Sequence, residues 1–168
     1  MISDSLQKAI DCLQIQDVYL RDFVAQCVGD FDPKYNADFE SYVVQTKHFV
    51  KQSMVVKVDD RQQLLRVFVD LGARWADEKI KEEKNSVKAF IEAEFVAEYT
   101  LKEMLDKESI DEFSLKNVSY HIWPYWRELL SSQCARMHFP NIVLPTIQLA
   151  RNRHTTQVHT EDAPVKTK

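Results

Sequence analysis

Two groups of side chains carry enough chemistry to be weighed first. Cys134 and His138 stand four residues apart in a stretch of helical periodicity, so one helical turn brings thiol and imidazole to the same side. A cysteine nucleophile and its base are built from such a pair. No third group to orient the histidine is evident, and a helix interior is an unusual place for a nucleophile. A buried cysteine, with a histidine at the cation-favouring end of a helix, accounts for both residues. Glu92, Glu94 and Glu98 share one side of an alternating segment and could be imagined as paired acids. On a strand face such acids read as solvating charge, so no catalytic residue is assigned and an enzyme is not expected.

Other chemistries are excluded by what the chain lacks. There are only two glycines, Gly29 and Gly72, too few for a glycine-rich phosphate cradle. Cys12, Cys27 and Cys134 have no metal-ligand spacing and fit reduced thiols in the cytoplasm. His48, His121, His138, His154 and His159 are scattered, so neither a metal nor a cofactor is expected. A net charge of -4 argues against a nucleic-acid partner. Asp4, Lys8 and Asp11 interrupt the first apolar residues, which rules out a signal peptide or membrane span there, and no later apolar run is long enough to cross a bilayer.

What remains is an aromatic and apolar surplus and the elements that must position it. Leu6, Ala9, Ile10 and Leu13 give residues 3–13 one apolar helical face, with Ser3 or Ser5 as N-cap. The period then falls to two. Residues 86–101 place Val87, Ala89, Ile91, Ala93, Phe95, Ala97, Tyr99 and Leu101 on one face, and residues 63–76 repeat the pattern from Leu65 to Trp75. The charged connector 77–85 reads as a hairpin loop. Residues 39–58 predict a third long strand with Tyr42, Val44, Thr46, His48 and Val50 on one side and Asp59-Asp60 as its turn. Residues 15–28 are apolar on both faces, which predicts an internal strand or one paired with another subunit. The link 29–37 is a loop.

From Ser109 helical periodicity returns, with Ser109 and Glu112 as a capping box. Val118, Ile122, Tyr125, Trp126, Leu129, Leu130, Gln133 and Met137 trace its apolar stripe, and Pro124 stands near its start or marks a kink. An extended apolar segment, 139–149, follows, and the polar residues 151–168 read as a disordered tail. The organisation is a short helix at 1–13, one domain at 14–150 and the tail. The fold class is α+β: a four-stranded antiparallel sheet with a long C-terminal helix packed on one face. Phe31, Tyr35, Phe39, Tyr42, Trp123, Trp126 and Phe139 exceed what one helix on one sheet can cover, so the surplus is hidden by oligomerisation or used for binding.

At this point the chain resembles the SecB family of export chaperones. The likeness runs through Gln14-Ile-Gln, Tyr19 and Asp22, then Leu65-Arg-Val with Val69, then Ala89-Phe-Ile91. It is strongest at Trp123-Pro-Tyr-x-Arg-Glu128, Phe139-Pro140 and Leu144-Pro145. The resemblance implies an ATP-independent holdase, assembled as a tetramer that is a dimer of dimers. It places an apolar groove for an unfolded client beside the first interstrand loop, lined by Phe31, Tyr35 and Phe39, with Tyr42, Trp126 and Leu130 beside them. Tyr125, Leu129, Gln133 and Met137 are assigned to the oligomer interface, and Asp22 to docking of the SecA motor. Two departures stand out: Gln26 occupies the place of a second docking acid, and the polar residues from Arg151 replace a second apolar helix. Both favour a branch of SecB-like proteins that hold a dedicated antitoxin over general export through SecA.

Overall fold

A computed structural model describes residues 2–59 and 62–145. Helix α1 (Asp4–Cys12) opens the chain, and Ser3 caps it by accepting from the Leu6 amide at 3.3 Å. Four strands follow: β1 (Leu13–Cys27), β2 (Val43–Lys57), β3 (Gln63–Ala76) and β4 (Val87–Leu101), with the single turn α2 (Glu83–Ser86) between β3 and β4. Helices α3 (Lys107–Lys116) and α4 (Val118–Arg136) complete the described elements. The strands form one antiparallel sheet in the order β1-β4-β3-β2. This is the expected α+β architecture.

The two central strands carry the core. Leu65, Val67, Val69, Leu71, Ala73 and Trp75 on β3 alternate with more polar residues, and Ala89, Ile91, Ala93, Phe95, Ala97 and Tyr99 on β4 do the same. In register they make one apolar sheet face. On it α4 lays Val118, Ile122, Trp126, Leu130 and Cys134, spaced four apart and all buried. Two polar contacts tie helix to sheet: Tyr99 Oη with His121 Nδ1 at 2.8 Å, and His48 Nε2 with Ser119 Oγ at 2.7 Å. Leu6, Ala9 and Cys12 of α1 join the same core.

Four expectations need correction. The strand predicted at 15–28 is β1 and lies at the sheet edge, which excludes the internal one of its two expected placements and not the pairing with another subunit. Its apolar residues on both faces, Ile15, Leu20, Phe23 and Val24, are exposed, because α4 lies over the central strands. Two register shifts, at Gln16 and Arg21, interrupt the strand, a pattern that edge strands commonly show. The strand predicted from residue 39 begins at Val43, since Phe39–Ser41 forms a single 3₁₀ turn that directs the Phe39 ring inward. The expected capping box at Ser109 lies one turn upstream: Asp106 caps α3, accepting from the Ser109 amide at 2.8 Å. The helical region is also two helices, divided at Asn117.

Asp106 fastens α3 to α1 as well, through Lys8 Nζ at 3.1 Å. The Ser109 amide, then Lys8 and the Ser109 hydroxyl, hold its carboxyl down to about 2, from an ordinary 3.8. A folded-state value below the unfolded one means the contribution is complete above about pH 4 and fades as pH falls through about 2. Denaturant titrations across that range should show an acid loss of stability that Asp106→Asn flattens.

Candidate functional site

The loop 28–42 runs from β1 at one edge of the sheet to β2 at the other, crossing the sheet end on the side of the helices. Short polar side chains set its shape. Asp32 accepts from the Lys34 amide at 3.0 Å with Pro33 starting the first 3₁₀ turn, and Asn36 Oδ1 accepts from the Asp38 amide at 3.1 Å. These turns bring Phe31, Phe39 and Tyr42 together against the sheet. Phe39, 3% exposed, is the hub: its ring lies 4.9 Å from Phe31, 5.5 Å from Tyr42, 6.1 Å from Trp75 and 5.5 Å from Phe139. Edge-on packing of this kind suits the quadrupoles of the rings. Tyr35, in contrast, is 78% exposed.

Open clefts flank this aromatic wall. One, of about 640 Å³, lies between the loop and the end of α4, bordered by Lys34, Asn36, Phe39, His138, Phe139 and Pro140. The other, of about 520 Å³, lies toward the β3–β4 hairpin, bordered by Val28, Phe31, Asn36, Tyr42 and Lys88. Asn36 borders both. The arm after α4 folds back over the helix, burying Phe139 and Leu144, and Trp123 Nε1 donates to the Pro145 carbonyl at 2.7 Å. The expected extended segment is described as far as Pro145. The rest of it, and the tail, lie outside the described residues.

Of the residues expected to line one groove, Phe31, Tyr35, Phe39 and Tyr42 share the loop. Trp126 and Leu130 do not reach it: they are 2% and 1% exposed, turned onto the sheet by their spacing with Ile122 and Cys134. Tyr125 is exposed, while Leu129, Gln133 and Met137 are half-buried, forming a stripe beside the core-facing one. Trp75 was legible only as a strand residue. The signal that could have placed it in the wall is its position at the last turn of an alternating strand, level with a loop rich in rings.

The chemically suggestive groups fall elsewhere. Cys134 is buried and accepts from the Ile142 amide, and burial pushes its thiol up to about 11, so it stays protonated at neutral pH. His138 is exposed with φ at 56°, closing α4 where the Phe139 amide reaches back to the Cys134 carbonyl at 2.9 Å. The acids of β4 face the opposite side of the sheet, and each is paired. Glu92 meets Lys47 at 3.4 Å, Glu98 meets Arg66 at 2.9 Å, and Glu94 meets both Arg21 and Lys51. Glu94 is buried, not solvated as expected, and the Lys51 hydrogen bond leads the causes that lower its carboxyl pKa. Gly72 lies between Lys47 and Glu92 in register, and the missing side chain lets that pair close over β3. Phe68 lies under two guanidiniums, Arg21 and Arg66, each 5.4 Å from its ring centre. Asp22 is exposed on this face, opposite Glu94.

Comparison with known proteins adds the fold. No protein-family model matches the chain, and no curated protein matches its sequence. Among solved structures it is similar to a SecB-like chaperone of Mycobacterium tuberculosis, determined in complex with a ChAD peptide from the HigA1 antitoxin. The identity is 14%, the match covers 87% of this chain and 98% of that one, and the TM-score is 0.65. With the sheet order and the helix layer already described, the fold of this chain is the SecB-like fold.

Proposed function

We propose that this chain is an ATP-independent holdase that binds an extended or unfolded client segment, and that its client is a dedicated antitoxin. The observation that carries the reading is the loop 28–42, an aromatic wall with an open cleft on either side. Grooves lined by rings bind extended chains with little demand on sequence. The fold neighbour was solved with an antitoxin peptide, which supports an antitoxin over an unrelated client. Holding such a segment would shield it from proteases and keep the cognate toxin neutralised. The protein would work in the cytoplasm, as a tetramer built from two dimers.

Delivery of preproteins to SecA is the second reading, and Asp22 is the residue that favours it. Its neighbours weigh against it: Lys47, Lys51, Arg21 and Arg66 pair with Glu92, Glu94 and Glu98 of the same face, which lowers the negative charge offered to a basic partner.

Tyr35 gives the cleanest test, since an exposed side chain can be changed without touching the core. Coexpressed with the small protein encoded beside it, the wild-type chain should co-purify with that protein and slow its proteolysis. Tyr35→Asp should weaken capture by about tenfold or more, as loss of an interface aromatic does, with an unchanged melting temperature. Equal capture by the variant would remove the loop from the site. Capture of SecA and many preproteins in place of one neighbour would favour export.

A further inference from the structure

Trp75 presents a buried donor that nothing answers. The residue is fully buried, and its indole Nε1 has no hydrogen-bond acceptor among the described residues. Buried N–H groups are almost always paired, because an unmet donor forfeits its hydration for no return. The Trp75 ring packs on two others, with centre-to-centre distances of 4.7 Å to Phe139 and 6.1 Å to Phe39.

The two rings are held differently. Phe139 follows directly from α4, anchored by its amide to the Cys134 carbonyl. Phe39 belongs to the loop 28–42, whose start is tied to β4 by the Val28 amide on the Lys88 carbonyl at 2.8 Å, while the hydrogen bonds around Phe39 close on the loop itself. The Phe39 amide reaches Asn36, the Ser41 amide reaches Asp38, the Tyr42 amide reaches Phe39, and Asn36 Nδ2 reaches the Tyr42 hydroxyl. The loop's ion pair to the hairpin, Lys79 with Asp38 at 3.6 Å, is exposed on both sides. A displaced Phe39 would carry few bonds with it, and the cleft of about 640 Å³ that it borders gives an incoming chain access to the same place.

We propose that Phe39 is a built-in occupant of the client's aromatic pocket. In the free chain it fills the space bounded by Phe31, Tyr42, Trp75 and Phe139. An aromatic side chain of an extended client displaces it, and a client carbonyl accepts from the Trp75 indole N–H. The proposal deepens the holdase reading and rests on it. The exchange is ring for ring, so stacking on one side replaces stacking on the other, and the indole hydrogen bond is gained only with client. A leucine in place of the ring would lose the edge-on contacts and could not repay the displacement. The occupant also lowers apparent affinity by the fraction of time it leaves the pocket empty, which keeps the apolar site covered when no client is present.

The test uses the full-length chain labelled with 5-fluorotryptophan, and as probes an unstructured glycine/serine peptide with one central phenylalanine and the same peptide with leucine. Phe39→Ala should bind the phenylalanine peptide about tenfold more tightly than wild type, as removal of a competing occupant requires. The Trp75 fluorine signal should shift on binding, and the wild-type chain should bind the leucine peptide more weakly than the phenylalanine peptide. Phe39→Leu, which keeps most of the volume, should gain in the same direction and serves if the alanine variant does not fold. Equal or weaker binding by both variants, or a Trp75 signal that stays fixed with peptide bound, overturns the proposal. A chain that protects the neighbouring gene product while Trp75 stays fixed loses this proposal and keeps the holdase reading. A chain that neither binds the peptides nor protects any client loses both.

Discussion

Trp126→Ala is expected to cost about 3–5 kcal/mol, the range for removing a buried tryptophan from a packed core. Its indole is 2% exposed between α4 and the sheet, with Ile122 and Leu130 at 1% on either side along the helix. No rearrangement of surface loops can fill the space left, because the neighbours above and below sit on the same helix at fixed spacing. With whole-domain stabilities of about 5–15 kcal/mol, the variant should unfold at far lower denaturant, and its urea midpoint reads the effect directly. A loss below about 1 kcal/mol would mean that α4 does not rest on the sheet through this residue. Client binding should fall only in proportion to the unfolded fraction, since Trp126 is buried between α4 and the sheet and borders neither cleft.

Leu20→Asp combined with Phe23→Asp is expected to reduce the proposed tetramer to single chains of 19.7 kDa. Both side chains are exposed on the edge strand β1, beside Ile15 and Val24. An edge strand with apolar side chains and open backbone groups is a template for pairing with another copy. Charges of one sign placed on that edge in both copies would repel across any twofold contact. The fold of each chain should survive, because neither residue contributes to the core. Sedimentation velocity separates the outcomes: an unchanged coefficient would place assembly on another surface, with the stripe of Tyr125, Leu129, Gln133 and Met137 next in line.

Much of the fold could be read before any coordinates. The alternation of Leu65 to Trp75 and of Val87 to Leu101 is long and clean because both strands bury one whole face, and Val118, Ile122, Trp126 and Leu130 follow a helical period for the same reason. The departures have physical causes as well. A strand apolar on both faces usually signals cover on both faces, yet β1 keeps Ile15, Leu20, Phe23 and Val24 in the open, so one chain's pattern records more than one chain's packing. Asp106 and Ser109 can each cap a helix, and they lie three residues apart. Asp106 takes the role, accepting from the Ser109 amide and pairing also with Lys8, far away in sequence. No glycine or proline marks the break at Asn117.

The site was the least legible part. Phe31, Tyr35, Phe39 and Tyr42 share one loop, but a loop has no period to say which ring turns inward. Phe39 turned in and Tyr35 turned out. The family resemblance places Trp126 and Leu130 beside the groove, and only the packing of α4 shows that their half of the helix meets the sheet. The end-of-strand position of Trp75 is a weak signal, since its part in the wall depends on Phe39 and Phe139, which are distant from it and from each other in sequence.

The sheet order has a consequence in time. β2, β3 and β4 follow one another as neighbours, while β1, first out of the ribosome, pairs with β4, the last strand made, from Cys27 with Ala89 to Leu13 with Leu101. Pairings this remote in sequence form slowly. During synthesis β1 therefore waits, unpaired on either side, until β4 emerges. A protein proposed to guard the unfolded segments of others must itself carry one of its most apolar strands bare for most of its own birth, when contact with any passing chain carries a risk of misassembly.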